Sequence, residues 1–219
     1  MLLYSVYGGS RLYNLQNRDS DWDMRGVFIE PAHVFFSLDT LDYYEDTVSD
    51  TVMYSLRRFI ILALKNNPNT LELLFAPTYA WLVTTNVWHR IYDVRRKFLS
   101  EKAVKAYRGF LLQEYDTIKK EYNAKRASHV YRLAYNLAQL KSTQNFNPSL
   151  SGNIRYTALG IKFGGYNKEE AFQEIDDLLL YCENRKQSHL PSEPDYDTIN
   201  TLVTDIQTGI FYEQINYKW

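Results

Sequence analysis

"GGSRLYNLQNRDSDWDMRGVFIE", residues 8–30, sets a Gly-Ser pair ahead of an Asp-Trp-Asp triplet that runs into an apolar, strand-like stretch. Two carboxylates one residue apart repel and raise each other's pKa, so the triplet is either a solvated turn or a site for cations. On a strand, residues two apart project from one face, which would aim Asp21 and Asp23 in the same direction. Such oxygen ligands suit Mg²⁺, which takes one or two carboxylates together with substrate phosphates and water. The Gly9-Ser10 turn offers close backbone approach and N–H donors to a polyphosphate. A third carboxylate on a neighbouring strand would complete the set. Asp50, heading "DTVMY" (50–54), is placed for it, with Asp42, Glu45 and Asp46 as nearby competitors. Two metals about 3.5–4 Å apart would then stabilise the entering and leaving oxygens of an in-line displacement. Gly-Ser followed at this distance by Asp-x-Asp arises by chance in roughly one or two such chains per hundred. The spacing alone therefore leaves room for an Asx-rich surface turn before a strand.

Outward from this stretch, "LLYSVY" (2–7) reads as a strand ended by Gly8-Gly9, and "WDMRGVFIE" (22–30) as a second that stops at Pro31. "DTVMY" reads as a third. Ser55 can cap a helix over "LRRFIILALK", whose apolar positions 56, 59, 60 and 63 share a face. A short helix is expected over 70–75. From about residue 85 the pattern turns helical. Thr85 can cap "NVWHRIYDVRRKFL", Ser100 a long helix to about Asn123, and another helix covers roughly 126–142. After the polar loop 142–152, Asn167 and Glu170 make a capping-box start for a helix to about 187. A last helix is expected over 198–213. "GIKFGG" reads as a glycine-bounded loop carrying Lys162, a candidate phosphate or RNA contact. The expected fold class is α+β, a small mixed-sheet module over 1–84 followed by a helical module over 85–219.

Of the 219 residues, 45% are apolar and 23% charged, as in ordinary globular chains. The formal charge of −1 conceals an asymmetry: residues 1–89 net −4, residues 90–132 net +7 and residues 133–219 net −4. A basic middle between acidic ends implies a dipolar molecule with an anion-facing surface. Cys182 is the only cysteine, which rules out an internal disulfide and Cys-rich zinc sites and favours a reducing compartment. "MLLYSVYGGS" lacks the basic lead and long apolar run of a signal peptide, and "FIILALK" (59–65) is too short to span a bilayer. A soluble, cytoplasmic protein without membrane contact is expected.

Gly9-Ser10, Asp21-x-Asp23 and a later strand Asp resemble the signature of the polymerase β nucleotidyltransferase superfamily. The chain is most similar to its branch associated with RNA-repair ligases. That branch reads Gly-Ser-Arg-x-Tyr and then Asp-Ser-Asp-aromatic-Asp-x-Arg; here stand "GSRLY" (9–13) and "DSDWDMR" (19–25). The similarity continues through "YSLRRFIILALKNNPNTLELLFAP" (54–77), reappears at "KRASHVYRL" (125–133) and more faintly at "IKFGGYNKEE" (161–170). Asn14 departs from the Gly often found there, and no helix is expected before the first strand.

The resemblance implies transfer of an NMP from a nucleoside triphosphate such as ATP to a hydroxyl acceptor. Asp21, Asp23 and Asp50 would hold two Mg²⁺ ions, for which Mn²⁺ can substitute. Gly9 and Ser10 would bind the phosphates, with Arg11 and Arg25 either orienting phosphates or neutralising the carboxylates. Lys125, His129 and Arg132 fall at i, i+4 and i+7 on one helix face, and match the branch's helical-domain motif. That face either grips the triphosphate or is a solvated basic surface with His129 half-buried. Both the branch and the basic middle point to RNA as the acceptor, a tRNA 3′ end under repair. The alternative is an antitoxin-like protein that modifies or blocks a protein partner.

Overall fold

The computed structural model describes residues 1–39, 41–143, 145–185 and 188–216. Strands β1 (Leu2–Tyr7), β2 (Met24–Phe28), β3 (Tyr43–Asp46), β4 (Thr51–Ser55) and β5 (Trp81–Thr84) form one mixed sheet in the order β3-β4-β2-β1-β5. β2 and β4 are parallel, with Met24 opposite Thr51 and Arg25 opposite Val52, and the other pairs are antiparallel. This register aligns the two strand starts, so the residues that precede them, Asp23 and Asp50, are neighbours.

Helix α1 (Gly9–Leu12) follows β1, and α2 (Ala32–Phe35) follows β2. Helix α3 (Leu56–Leu64) leaves β4 directly, where the Ser55 hydroxyl accepts from Arg58 N at 3.2 Å. Its buried residues are Leu56, Phe59, Ile60 and Ala63, the positions that the spacing predicts. Helix α4 (Pro68–Leu74) is capped by Asn67, with Pro68 in the first turn, where a missing N–H costs nothing.

Between these helices Asn66 is buried at φ 54°. Its Nδ2 donates to Phe98 O (2.7 Å) and Ala63 O (3.0 Å), while its Oδ1 accepts from Ser100 N (3.1 Å) and Ser100 Oγ (2.8 Å). One side chain thereby clasps the end of α3 to the start of α6 (Glu101–Lys120), across the intervening α5 (Asn86–Asp93).

Helix α7 (Ala124–Ser142) is the central element of the C-terminal half and packs against α6, α8 (Gly152–Lys162) and α9 (Lys168–Asn184). α9 opens with the expected capping box of Asn167 and Glu170. α10 (Tyr196–Asn216) returns to α2, where Phe211 meets Phe35 and Phe36 and Gln214 accepts from Ala32 N. The buried side chains form one continuous core that runs from the sheet through the helices.

The architecture is α+β, as the pattern predicts, with several differences in detail. β2 begins at Met24, so Asp21-Trp22-Asp23 lies on the approach loop, not within a strand. β3 and β5 are short strands at the two sheet edges; most of their side chains are exposed, which removes the alternation that marks a strand. "GIK" closes helix α8 where a loop was expected. The helix expected over 86–99 stops at Asp93 and continues as a 3₁₀ turn, Arg95–Phe98. α9 is assigned to Asn184, and the expected extension to 187 reaches residues 186–187, outside the described set. Among the described residues no helix is long and apolar enough to cross a membrane.

Candidate active site

The turn after β1 is closed against the carboxylate loop. Gly8 N donates to Asp23 O at 2.9 Å, and Gly9 adopts φ +52° directly over the Asp23 side chain. A Cβ on Gly9 would stand 1.9 Å from Asp23 Oδ2. Glycine here is a requirement of both backbone conformation and close approach. Asp23 in turn lies beside Asp50, close enough for each carboxyl to shift the other. Burial, then the bond to Asp50, then the Asp50 charge raise Asp23, with the Asp21 charge adding to the effect. Asp50 is lowered by its bond to Asp23 and by Arg25. Asp23 therefore keeps its proton to higher pH than a free carboxyl, and Asp50 gives its proton up more readily.

Arg25 Nη2 pairs with Asp50 Oδ1 at 2.8 Å, and its Nη1 donates to Asp50 O. Arg11 is engaged elsewhere. Its Nε donates to Asp21 O (3.1 Å), its Nη2 to Ser20 O (2.9 Å), and its guanidinium lies 3.3 Å from the Trp22 ring centroid. It staples the loop that presents the carboxylates. Of the competitors for the third carboxylate, Asp46 bonds Val48 N and Ser49 Oγ within its own turn.

Two adjacent carboxyls, of which one raises the other's cost of ionisation, form a site where a divalent cation can take the place of a proton, so the donor pair fits Mg²⁺. Asp21 is exposed on the loop and reaches Asp23 through its charge. Among the described residues no three His, Cys, Asp or Glu side chains are already gathered as a metal cage.

A cavity of about 660 Å³ adjoins this turn, and Gly9, Ser10, Tyr13, Lys125, Arg126, His129, Arg132 and Lys162 are among its walls. A smaller one, about 230 Å³, contains Gly8, Gly9, Tyr13, Asp23, Arg25 and Glu72. Gly9 and Tyr13 belong to both. The structure thus brings the Gly-Ser turn and the Lys125-His129-Arg132 face to one cavity, and Asp23 to the next. The helix face is not solvated as a whole. Lys125 is exposed, but Arg132 is 1% exposed and Nη1 pairs with Glu72 Oε1 at 2.6 Å. His129 is pushed down to about 3 by burial and by the charges of Arg132 and Arg126, so it stays neutral. Lys162 Nζ donates to Leu15 O at 2.6 Å, and burial together with the nearby Lys125 lowers it.

Glu72 and Tyr13 had no assigned role in the sequence reading. Tyr13 Oη donates to Glu72 Oε2 at 2.5 Å, and its ring lies 3.6 Å from the Arg132 guanidinium. Tyr107 Oη also donates to Glu72 Oε1, at 3.3 Å. The available signal was a lone carboxylate inside the apolar run "LELLFA" (71–76), since a buried charge demands a partner.

Residues 1–205 match the family described as "RNA repair pathway DNA polymerase beta family" (RlaP). The chain is 32% identical over 77 residues to the uncharacterized protein YcgL of Bacillus subtilis (strain 168), covering 33% of this chain and 30% of that protein. It is 26% identical over 121 residues to the uncharacterized 38.9 kDa protein in the nrdC-mobD intergenic region of Enterobacteria phage T4, covering 49% and 36% respectively. The matches thus span no more than 36% of the length of either curated relative. No solved structure matches the chain.

Proposed function

Because the chain belongs to the RNA repair pathway DNA polymerase beta family, we propose that it is a metal-dependent nucleotidyltransferase. It moves an NMP from a nucleoside triphosphate to a hydroxyl of RNA, with a tRNA 3′ end as the acceptor. The observation that carries this reading is the Gly9 turn, closed on Asp23 beside Asp50 and bordering a cavity whose walls hold Lys125, Arg126, Arg132 and Lys162 along with Glu114 and Glu121. Asp23 and Asp50, joined by Asp21, would hold Mg²⁺, which would offset the carboxylate and phosphate charge. Ser10 and the turn receive the phosphates, and Lys125 and Lys162 add positive charge along the cavity wall. The acceptor oxygen bonds to the α-phosphorus, the bond to the bridging oxygen breaks, and pyrophosphate leaves. Asp50, paired with Arg25, takes the acceptor's proton. Arg25 and Arg11 keep Asp50 and the Asp21 loop in place.

Incubation with α-labelled ATP or CTP, Mg²⁺ and either RNA or a co-expressed polypeptide tests the acceptor. Label on RNA is expected. Label confined to the polypeptide would replace this reading with that of an antitoxin-like protein-modifying enzyme.

A further inference from the structure

The Glu72–Arg132 pair carries an inference beyond the roles assigned above, and it rests on the reading of the larger cavity as the nucleotide site. Arg132 has donors only and is always protonated. Its Nη2 lies 3.1 Å from His129 Nδ1, so that nitrogen accepts and the single ring proton of neutral His129 sits on Nε2. Arg132 is held in the donating pose from the other side. Nη1 is paired to Glu72 Oε1, the Tyr13 ring covers the guanidinium, and Tyr13 and Tyr107 donate to the Glu72 carboxylate. Glu72 and Arg132 are 3% and 1% exposed, so neither competes with water for this arrangement. His129 is a wall of the larger cavity beside Lys125 and Ser10.

We propose that Glu72 is a positioning residue of the nucleotide cavity. Through Arg132 it fixes His129 as an Nε2–H donor that faces the polyphosphate. A neutral Nε2–H donor can bond a phosphate oxygen at any pH above the acid range, because it does not depend on protonating a ring held neutral by its surroundings. The same contacts tie α4 and α7 to the Tyr13 end of the Gly-Ser turn.

Three versions of the 219-residue chain test this: wild type, Glu72→Gln, and the double variant Glu72→Gln/Arg132→Met. Each is titrated with tripolyphosphate and with ATP, and the His129 imidazole nitrogens are followed by ¹H–¹⁵N NMR. The wild type should show the Nε2-protonated pattern, with resonances that move on addition of tripolyphosphate. Glu72→Gln leaves Arg132 buried without its counter-charge and should lower Tm. The double variant removes both charges, which commonly restores stability. It should recover most of the Tm yet bind tripolyphosphate at least about tenfold more weakly, with mixed His129 tautomers.

A double variant that binds like the wild type would reduce the pair to a structural contact and overturn the proposal, as would an Nδ1-protonated His129 in the wild type. A wild-type chain that binds neither tripolyphosphate nor ATP would overturn the cavity assignment itself. That outcome is distinct, because it shows in the wild type alone.

Discussion

The contact between Gly9 and Asp23 sets where the carboxylate loop meets the Gly-Ser turn. A side chain at Gly9 would collide with Asp23 Oδ2, so the turn, the half-buried Asp23 and the neighbouring Asp50 form one unit. The direction of the Asp23 shift gives a pH dependence. Asp23 binds its proton more tightly than a free carboxyl, a cation must displace that proton, and cation affinity therefore rises with pH as Asp23 ionises. Calorimetric titration with Mg²⁺ should give tighter binding at pH 7.5 than at pH 5, and equal affinities would contradict the raised proton affinity of Asp23. His129 has the opposite shift. It is neutral when folded and titrates near 3, while the unfolded chain protonates it near its ordinary value. Stability is complete above about pH 6.5 and is lost as pH falls towards 3, by about 2 kcal/mol between pH 7 and pH 5. Denaturation of wild type and His129→Gln at both pH values should differ by that amount; equal losses would mean that His129 titrates normally. That the Gly-Ser turn would lie beside the Asp triplet was legible, and Gly8 and Gly9 do meet Asp23. Their partners were not. That Arg11 would serve backbone carbonyls and Arg132 a buried Glu72 depends on contacts 9–10 and 60 positions apart, beyond the reach of local spacing.

Among the elements, those with strong local signals were readable: the Ser55, Thr85 and Ser100 caps and the Asn167–Glu170 box all stand where the sequence placed them. β3 and β5 escaped because short edge strands need only one paired neighbour and little burial. α8 escaped because Gly160 and the Gly164-Gly165 pair suggested a loop around Lys162. The Asn66 clasp is the connection between elements that sequence pattern could not show, since its partners are Phe98 and Ser100. Asn66→Ala leaves those buried groups unsatisfied and places a Cβ-bearing residue of lower left-handed tolerance at φ 54°. It should cost about 3 kcal/mol in denaturant unfolding; a loss under about 1 kcal/mol would show that the clasp is not what joins α3 to α6.

For the whole molecule, the +7 excess over 90–132 is the feature suited to a polyanionic acceptor. Lys119 and Lys120 are exposed at the end of α6, away from the carboxylate pair in sequence. If RNA is the acceptor, affinity should fall with salt at a slope near ~0.7 per phosphate contact on a single strand. Lys119→Glu/Lys120→Glu should weaken RNA binding and reduce that slope, while transfer to a minimal acceptor changes little. Salt-insensitive binding would remove RNA as the partner of this surface. The central claim is that Asp23 and Asp50 form the catalytic pair. Its most direct test is the rate of Mg²⁺-dependent NMP transfer by Asp23→Asn and Asp50→Asn, with folding checked by Tm and nucleotide binding measured separately. Both variants should stay folded and lose at least about a thousandfold in turnover, with Asp50→Asn binding nucleotide within a few-fold of wild type. A folded Asp23→Asn or Asp50→Asn chain that turns over near the wild-type rate at saturating Mg²⁺ would contradict the account.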